Sequence, residues 1–431
     1  MRSSLCRFCG LSVAMVAALC GRASSFPAAA AAIQATQADV PPLSESAEVS
    51  VLTVLPGDRL YNLFGHTIIR FRDPTTGLDV GFNYGTFDFP ESVFGGAGFV
   101  ARFAYGKLDY RLQVSGNPSH AIDWYARQEG RSTIEQTLDL TSDQADSLFS
   151  LLVENARPEN AVYRYDFFFD NCSTRPRDAL ERVLGDRLHP RTDDPGTSFR
   201  RMLDPYLTAN PGVNLSMDIG LGSPADRHAT AREALFLPVE LMKWLDAAEV
   251  ENDGLRRPLV SHSDTLTRAS EAGRRDPAIP WPTLVSWTIA AGIVLLSIFD
   301  RRSGRRVRRW LDGGVFSLAG IAGIVLGFLV FVSLHSVTKP NLNLVWALPT
   351  HLVAGGVLLT GRNPRWMRLY MRVVLVLASI FLLGLPFWTQ EIPAAVIPIV
   401  LAIASRAATL AFPDASPEDS NSRHRAEPRS S

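Results

Sequence analysis

Cysteine is scarce in this chain. There are four in 431 residues, and Cys6, Cys9 and Cys20 all fall within residues 1–35, an apolar leader. Past the leader Cys172 stands alone, so no disulfide framework holds the rest of the chain, and an unpaired thiol in an exported protein points to a nucleophile. The C-x-x-C spacing of Cys6 and Cys9 lies inside the leader and carries no redox or zinc reading. Net charge is missing too: 43 basic and 43 acidic residues cancel, and with 46% hydrophobic residues the totals fit either a large soluble enzyme or a membrane protein. The distribution of residues decides between them.

Residues 1–35 carry Arg2 and Arg7, an apolar stretch from Phe8 to Leu19, and small residues up to Ala32. That is the layout of a signal peptide or N-terminal membrane leader. Leu19 precedes Cys20 where a lipoprotein signal wants a small residue, which argues against lipid anchoring there.

At the other end, five apolar stretches follow one another: Thr283 to Phe299, Gly314 to Leu334, Leu344 to Leu359, Val373 to Phe387 and Ala394 to Leu410. Most approach spanning length. The first two are separated by RRSGRRVRRW, and the third and fourth by a loop holding Arg362, Arg365, Arg368 and Arg372. An excess of arginine marks cytoplasmic loops. Topology therefore explains these runs better than nucleic-acid binding, and alternation places everything before Trp281, the HSVTKPNLN loop and the WTQEIP loop outside. The sequence thus divides into a leader (1–35), an extracytoplasmic catalytic domain (49–280), a membrane domain of about five spans (281–411) and a disordered cytoplasmic tail (412–431).

The extracytoplasmic stretch is long enough to bury its own core. VSVLTVLPGDRLYNLFGHTIIRFRD reads as two strands around a Pro-Gly-Asp turn, with His66 at the entry of the second. GLDVGFNYGTFDF continues as a third, with Val80, Phe82 and Tyr84 on one face and Gly81 and Asn83 on the other. Ser142 to Ala156 reads as a helix, Val162 to Phe169 as an extended approach, and Ser173 to Leu184 as a helix capped by Asp170 or Asn171. The domain is α+β. Cys172 at this helix start sits where the dipole and free backbone N–H groups favour a thiolate. Its base is sought among eight histidines, of which His66 beside Gly65 is the strongest. A strand histidine that only satisfies backbone groups stays open.

LFGHTIIRF, FNYGTFDF, FAYGKLDYRL and YDFFFDNCSTRPRD, followed by GSPADR and the multi-span C-terminus, resemble the Lnb family of bacterial lipoprotein acyltransferases. The resemblance implies a permuted papain-like (NlpC/P60-related) domain in which the histidine strand precedes the cysteine helix, with His66 and Cys172 at the motif positions. It also implies transfer of an acyl chain from the sn-2 glycerol ester of a diacylated lipoprotein to the α-amine of its N-terminal cysteine, with no cofactor and no metal. Asn83 is the candidate orienter of the imidazole, with Asp79 and Asp88 competing. Backbone N–H groups at the helix start are the candidate oxyanion donors, and Tyr84, Asn171 and Arg175 the candidate substrate-binding residues. Diacylated lipoprotein and membrane lipid are the expected partners; oligomeric state stays open. Phe87, Phe89, Phe94, Phe99 and Phe103 form either a greasy mouth or ordinary core. His351 reads as helix packing. A cell-wall cysteine peptidase or amidase, and a non-enzymatic scaffold, are the alternatives.

Overall fold

The computed structural model describes residues 42–86, 98, 101–191, 194–269, 278–303 and 308–412. The leader, four of the five mouth phenylalanines (all but Phe103), Asp88, much of the first arginine-rich loop and the C-terminal tail lie outside these residues. The chain separates into two units: one built from residues up to and including Tyr206 and from His228–Asp276, the other from Leu207–Arg227 and the chain from Pro277 onward.

The first unit is α+β. β-branched and aromatic residues alternate with polar ones through β1 (Glu48–Val54), β2 (His66–Asp73) and β3 (Leu78–Thr86), and the sheet continues with β4 (Asp109–Gly116), β5 (Thr133–Leu138), β6 (Val162–Arg164) and β7 (Val260–Thr267). Its strand order is β7-β5-β1-β2-β3-β4-β6, antiparallel throughout. Period-two alternation gives each face its own core. On one face Val51, Ile69, Phe71, Phe82 and Tyr84 pack with Leu148 and Phe149 of helix α2 (Ser142–Asn155), Leu180 of α3 (Thr174–Leu184) and Leu245 of α4 (Pro238–Ala247). On the other, Leu52 and Ile68 meet Ile122 and Tyr125 of α1 (Ser119–Glu129). The extended approach expected over Val162 to Phe169 lasts only through Arg164. After it Asp166 bends the chain back, its Oδ1 accepting from the N–H groups of Phe168 at 2.9 Å and Phe169 at 3.1 Å.

Among the described residues of the second unit, three helices are long and apolar enough to cross a membrane: α5 (Trp281–Arg302), α6 (Arg309–Phe331) and the stretch Arg365–Phe387, which contains α8 (Arg365–Gly384). The segment expected to span from Leu344 to Leu359 is instead broken into a 3-10 turn (Leu342–Val345) and α7 (His351–Leu359). Pro349 falls between them, and a nine-residue helix covers only about 14 Å of a ~30 Å hydrocarbon layer. The last apolar helix, α9 (Val396–Ala411), has 16 residues. Small residues bring α6 and α7 together: a Cβ at Gly320 or Gly323 would collide with the backbone of Leu352 or Ala347. His351 packs between helices as expected, its Nε2 3.1 Å from the Trp346 carbonyl and its Nδ1 2.7 Å from the Tyr370 hydroxyl.

Segment Leu207–Arg227 falls within the stretch that the sequence gives to the extracytoplasmic domain, yet it is held in the second unit by its backbone. Its helix (Pro211–Gly220) leaves carbonyls free at its C-terminus. The Asn341 amide donates to those of Ile219 at 2.9 Å and Gly220 at 3.2 Å, and Asn343 donates to Ile219 at 3.2 Å.

Candidate active site

His66 opens β2, Asn83 stands near the end of β3, and Cys172 lies two residues before α3, so three chain segments converge at one end of the sheet. The His66 Nε2 is 2.7 Å from the Asn83 Oδ1. With Nε2 donating its proton to that oxygen, Nδ1 is left with a lone pair. Gly85 makes room for the pair: a Cβ there would sit 3.3 Å from His66 Cε1 and 3.4 Å from the Cys172 Cβ. The imidazole and the thiol therefore flank one small space, and Gly85, at φ 116°, holds a backbone conformation that also disfavours a side chain.

The helix start is consumed by its own cap. Asn171 Oδ1 accepts from the N–H groups of Ser173 at 2.8 Å and Thr174 at 3.0 Å, while its Nδ2 donates to the carbonyls of Phe167 at 2.7 Å and Phe236 at 2.9 Å. All four hydrogen-bonding positions of the amide are filled. Buried and fully engaged, Asn171 is a capping residue and has nothing to offer a substrate, contrary to the expectation. The Arg175 N–H is also spent, on the Asn171 carbonyl at 3.2 Å. Of the N–H groups at the helix start, those of Ser173, Thr174 and Arg175 are thus occupied; the backbone N–H groups that reach the Cys172 sulfur are its own and that of Thr67.

Burial corrects the expected thiolate. It pushes the Cys172 thiol up to about 11, outweighing the lowering by those N–H groups and by the Arg131 charge. Burial likewise holds His66 down to about 4, against the raising effect of its bond to Asn83. The resting pair is a thiol and a neutral imidazole.

Two neighbours left unnoticed by the sequence reading shape this environment. The Tyr125 ring lies 6.5 Å from that of His66, and its hydroxyl meets the Asn83 side chain. Arg131, its guanidinium 5.3 Å from the centre of the Tyr125 ring, donates to the Leu55 carbonyl at 2.7 Å and pairs with Glu129 at 2.8 Å, both side chains buried. Helical spacing puts Tyr125 beside Ile122 on the buried side of α1, and only the fold sets that side over His66.

Tyr84 and Arg175 belong elsewhere. Alternation along β3 turns Tyr84 into the opposite core from Asn83, where its hydroxyl accepts from Asn155 at 3.0 Å. Arg175 makes a two-pronged pair with Asp170 at 2.6 and 2.8 Å and lies 3.9 Å over the Tyr163 ring. Both line a cleft of about 310 Å³ whose walls include neither Cys172 nor His66. Asp79 is taken by Arg70, at 2.7 Å through both oxygens. Phe103 is exposed. No group of metal-ligating side chains occurs among the described residues.

Residues 42–204 match the Lnb N-terminal periplasmic domain and residues 275–414 the Lnb transmembrane domain. The chain belongs to the Lnb family. The Lnb match makes it a membrane protein with an extracytoplasmic domain and suggests an enzyme of lipoprotein modification. No curated protein and no solved structure matches it.

Proposed function

We propose that this Lnb protein is a multi-pass inner-membrane N-acyltransferase that moves an acyl chain from the sn-2 glycerol ester of a diacylated lipoprotein to the α-amine of the same molecule. The observation that carries the reading is the convergence of Cys172, His66 and Asn83 around the bare Gly85, in a chain with both Lnb domains. A permuted papain-like order is the framework this implies: histidine strand first, cysteine helix after. Five crossings follow if the broken Leu342–Leu359 segment and α9 complete the membrane domain beside the three long helices.

The neutral resting pair sets the order of proton movements. His66 Nδ1 takes the Cys172 proton as the sulfur attacks the ester carbonyl, so charge develops only during the step. The oxyanion is met by the N–H groups of Cys172 and Thr67, each such donor being worth roughly 3 kcal/mol. The C–O bond breaks, the glycerol oxygen leaves with the proton from His66, and the acyl chain remains as a thioester. The α-amine then attacks that thioester and gives a proton to His66; the C–S bond breaks and the sulfur recovers the proton. An ester has become an amide. Asn83 keeps the Nδ1 lone pair aimed at the thiol, and Tyr125 is a positioning residue acting through Asn83.

The test is mass spectrometry of a purified diacylated lipopeptide incubated with the protein. Intramolecular transfer leaves the mass unchanged while the primary amine is lost and fragmentation finds one fewer ester. Gain of an acyl mass would mean a phospholipid donor. An untouched lipopeptide alongside cleavage of a peptidoglycan stem peptide would replace this reading with a cell-wall peptidase.

A further inference from the structure

From Gly313 to Gln390 the sequence contains no aspartate or glutamate, yet this stretch includes Arg362, Arg365, Arg368 and Arg372. The nearby carboxylates of Asp300 and Asp312 are already spent on Arg308 and Arg406. Arg362, Arg365 and Arg368 are exposed, and among the described residues no carboxylate is within ion-pair reach of any of them. A hollow of about 460 Å³ opens beside Arg362, walled by Leu352, Val353, Gly356 and Val357 of α7 and ending at Thr360, Arg362, Pro364 and Trp366. Gly356 adds no side chain to it, and nothing lies within 4 Å of where its Cβ would be. Its walls are aliphatic, whereas its end presents a hydroxyl, a cation and an indole, the residue types found at headgroup depth.

We propose that this hollow is a binding site for an anionic phospholipid, with one acyl chain against Leu352, Val353 and Gly356 and the headgroup phosphate on Arg362. Charge complementarity selects the occupant. Among the described residues the guanidinium has no anion to pair with, and a basic pocket beside transmembrane helices is where anionic headgroups bind. The site is independent of the reaction at Cys172.

The full-length protein, purified in detergent and stripped of lipid, is titrated with phosphatidylglycerol or phosphatidylcholine and followed by native mass spectrometry. The expected result is preferential retention of phosphatidylglycerol, weakened about fivefold by Arg362→Gln, the scale of one arginine at a lipid surface. Gly356→Leu, which fills open space, is expected to lower retention of that lipid while leaving the unfolding temperature in lipid-free detergent unchanged. Arg301→Gln, at the end of α5 beside the other basic loop, is expected to bind as wild type does. Equal retention of the two lipids, or equal losses in Arg301→Gln and Arg362→Gln, would overturn the proposal.

Discussion

Two polar clusters in this molecule solve the same physical problem in opposite ways. In the membrane domain, Arg406 reaches Asp312 at 2.6 Å and Asp300 at 2.9 Å, Arg308 supplies a second cation to Asp300 at 2.9 Å, and neither carboxylate nor Arg406 is exposed. Every charge there has a partner, and the cluster ties α5, α6 and α9 together. Beside the sheet of the first unit, Cys172 and His66 are desolvated without an ion partner, so burial keeps them neutral. Complete pairing yields a clasp; incomplete pairing leaves groups free to exchange a proton with a third molecule. The amide of Asn83 marks the boundary, since it fixes the imidazole without fixing its charge.

The comparison breaks most visibly at the thiol. Cys172→Ala should lower acyl transfer by on the order of 10⁶, the scale of removing a nucleophile, while leaving the thermal midpoint close to wild type; alkylation of the wild type should abolish activity and label this residue. His66→Ala should cost roughly 10² to 10⁴ in kcat, as for a lost general base. Retained activity in either variant would show that the two residues only pack together. The neutral pair also fixes a pH profile. His66 serves as a base only when unprotonated, and its folded value is held down to about 4, so the acid limb of kcat/KM should fall near 4 and not near the ordinary imidazole value of about 6.5. The groups facing the ring are Asn83, Tyr125, Cys172, Arg131 and Glu129. An acid limb at the ordinary value would mean that the ring is solvated in the working enzyme.

Much of this arrangement was legible in the residues. A histidine after a glycine at a strand entry, an amide on the polar face of the next strand and a lone cysteine before a helix were all picked out, and alternation along β3 already separated Asn83 from Tyr84. The misreadings share a cause. Asn171 was credited with substrate contact because a capping amide and a binding amide look alike until Phe167 and Phe236 are seen to accept its protons. The thiolate was inferred from the helix start, a local feature, whereas the opposing burial comes from segments distant in sequence. Tyr125 and Arg131 escaped notice because nothing in α1 or the loop after it indicates which strand face they cover. The break at Pro349 was concealed by apolar composition, which measures hydrophobicity and not helix continuity.

The clasp predicts a smaller but still large effect on stability. Arg406→Met would leave Asp300 and Asp312 buried with, among the described residues, Arg308 as the remaining cation, and removing one partner of a buried ion pair typically costs about 3 to 5 kcal/mol. Thermal unfolding of the detergent-solubilised protein should show a lowered midpoint with lipopeptide KM unchanged in the folded fraction. A variant as stable as wild type would mean that water reaches the aspartates.

A finer distinction separates Tyr125 from Arg175. Tyr125→Phe keeps the ring and removes the hydroxyl that meets Asn83, a contact worth about 1 kcal/mol, or roughly fivefold in kcat. If Tyr125 acts through Asn83, combining Tyr125→Phe with Asn83→Ala should slow the enzyme no further than Asn83→Ala alone; independent, additive losses would assign Tyr125 to packing. Arg175→Gln should do less. Its pair with Asp170 is partly exposed, with side-chain exposures of 29% and 36%, and such pairs contribute at most ~1 kcal/mol of stability. Because Arg175 lines the cleft behind β3, whose walls do not include Cys172, lipopeptide KM should not move. A tenfold rise in KM, about 1.4 kcal/mol of binding, would return Arg175 to the substrate and make the cleft part of the acyl-transfer site.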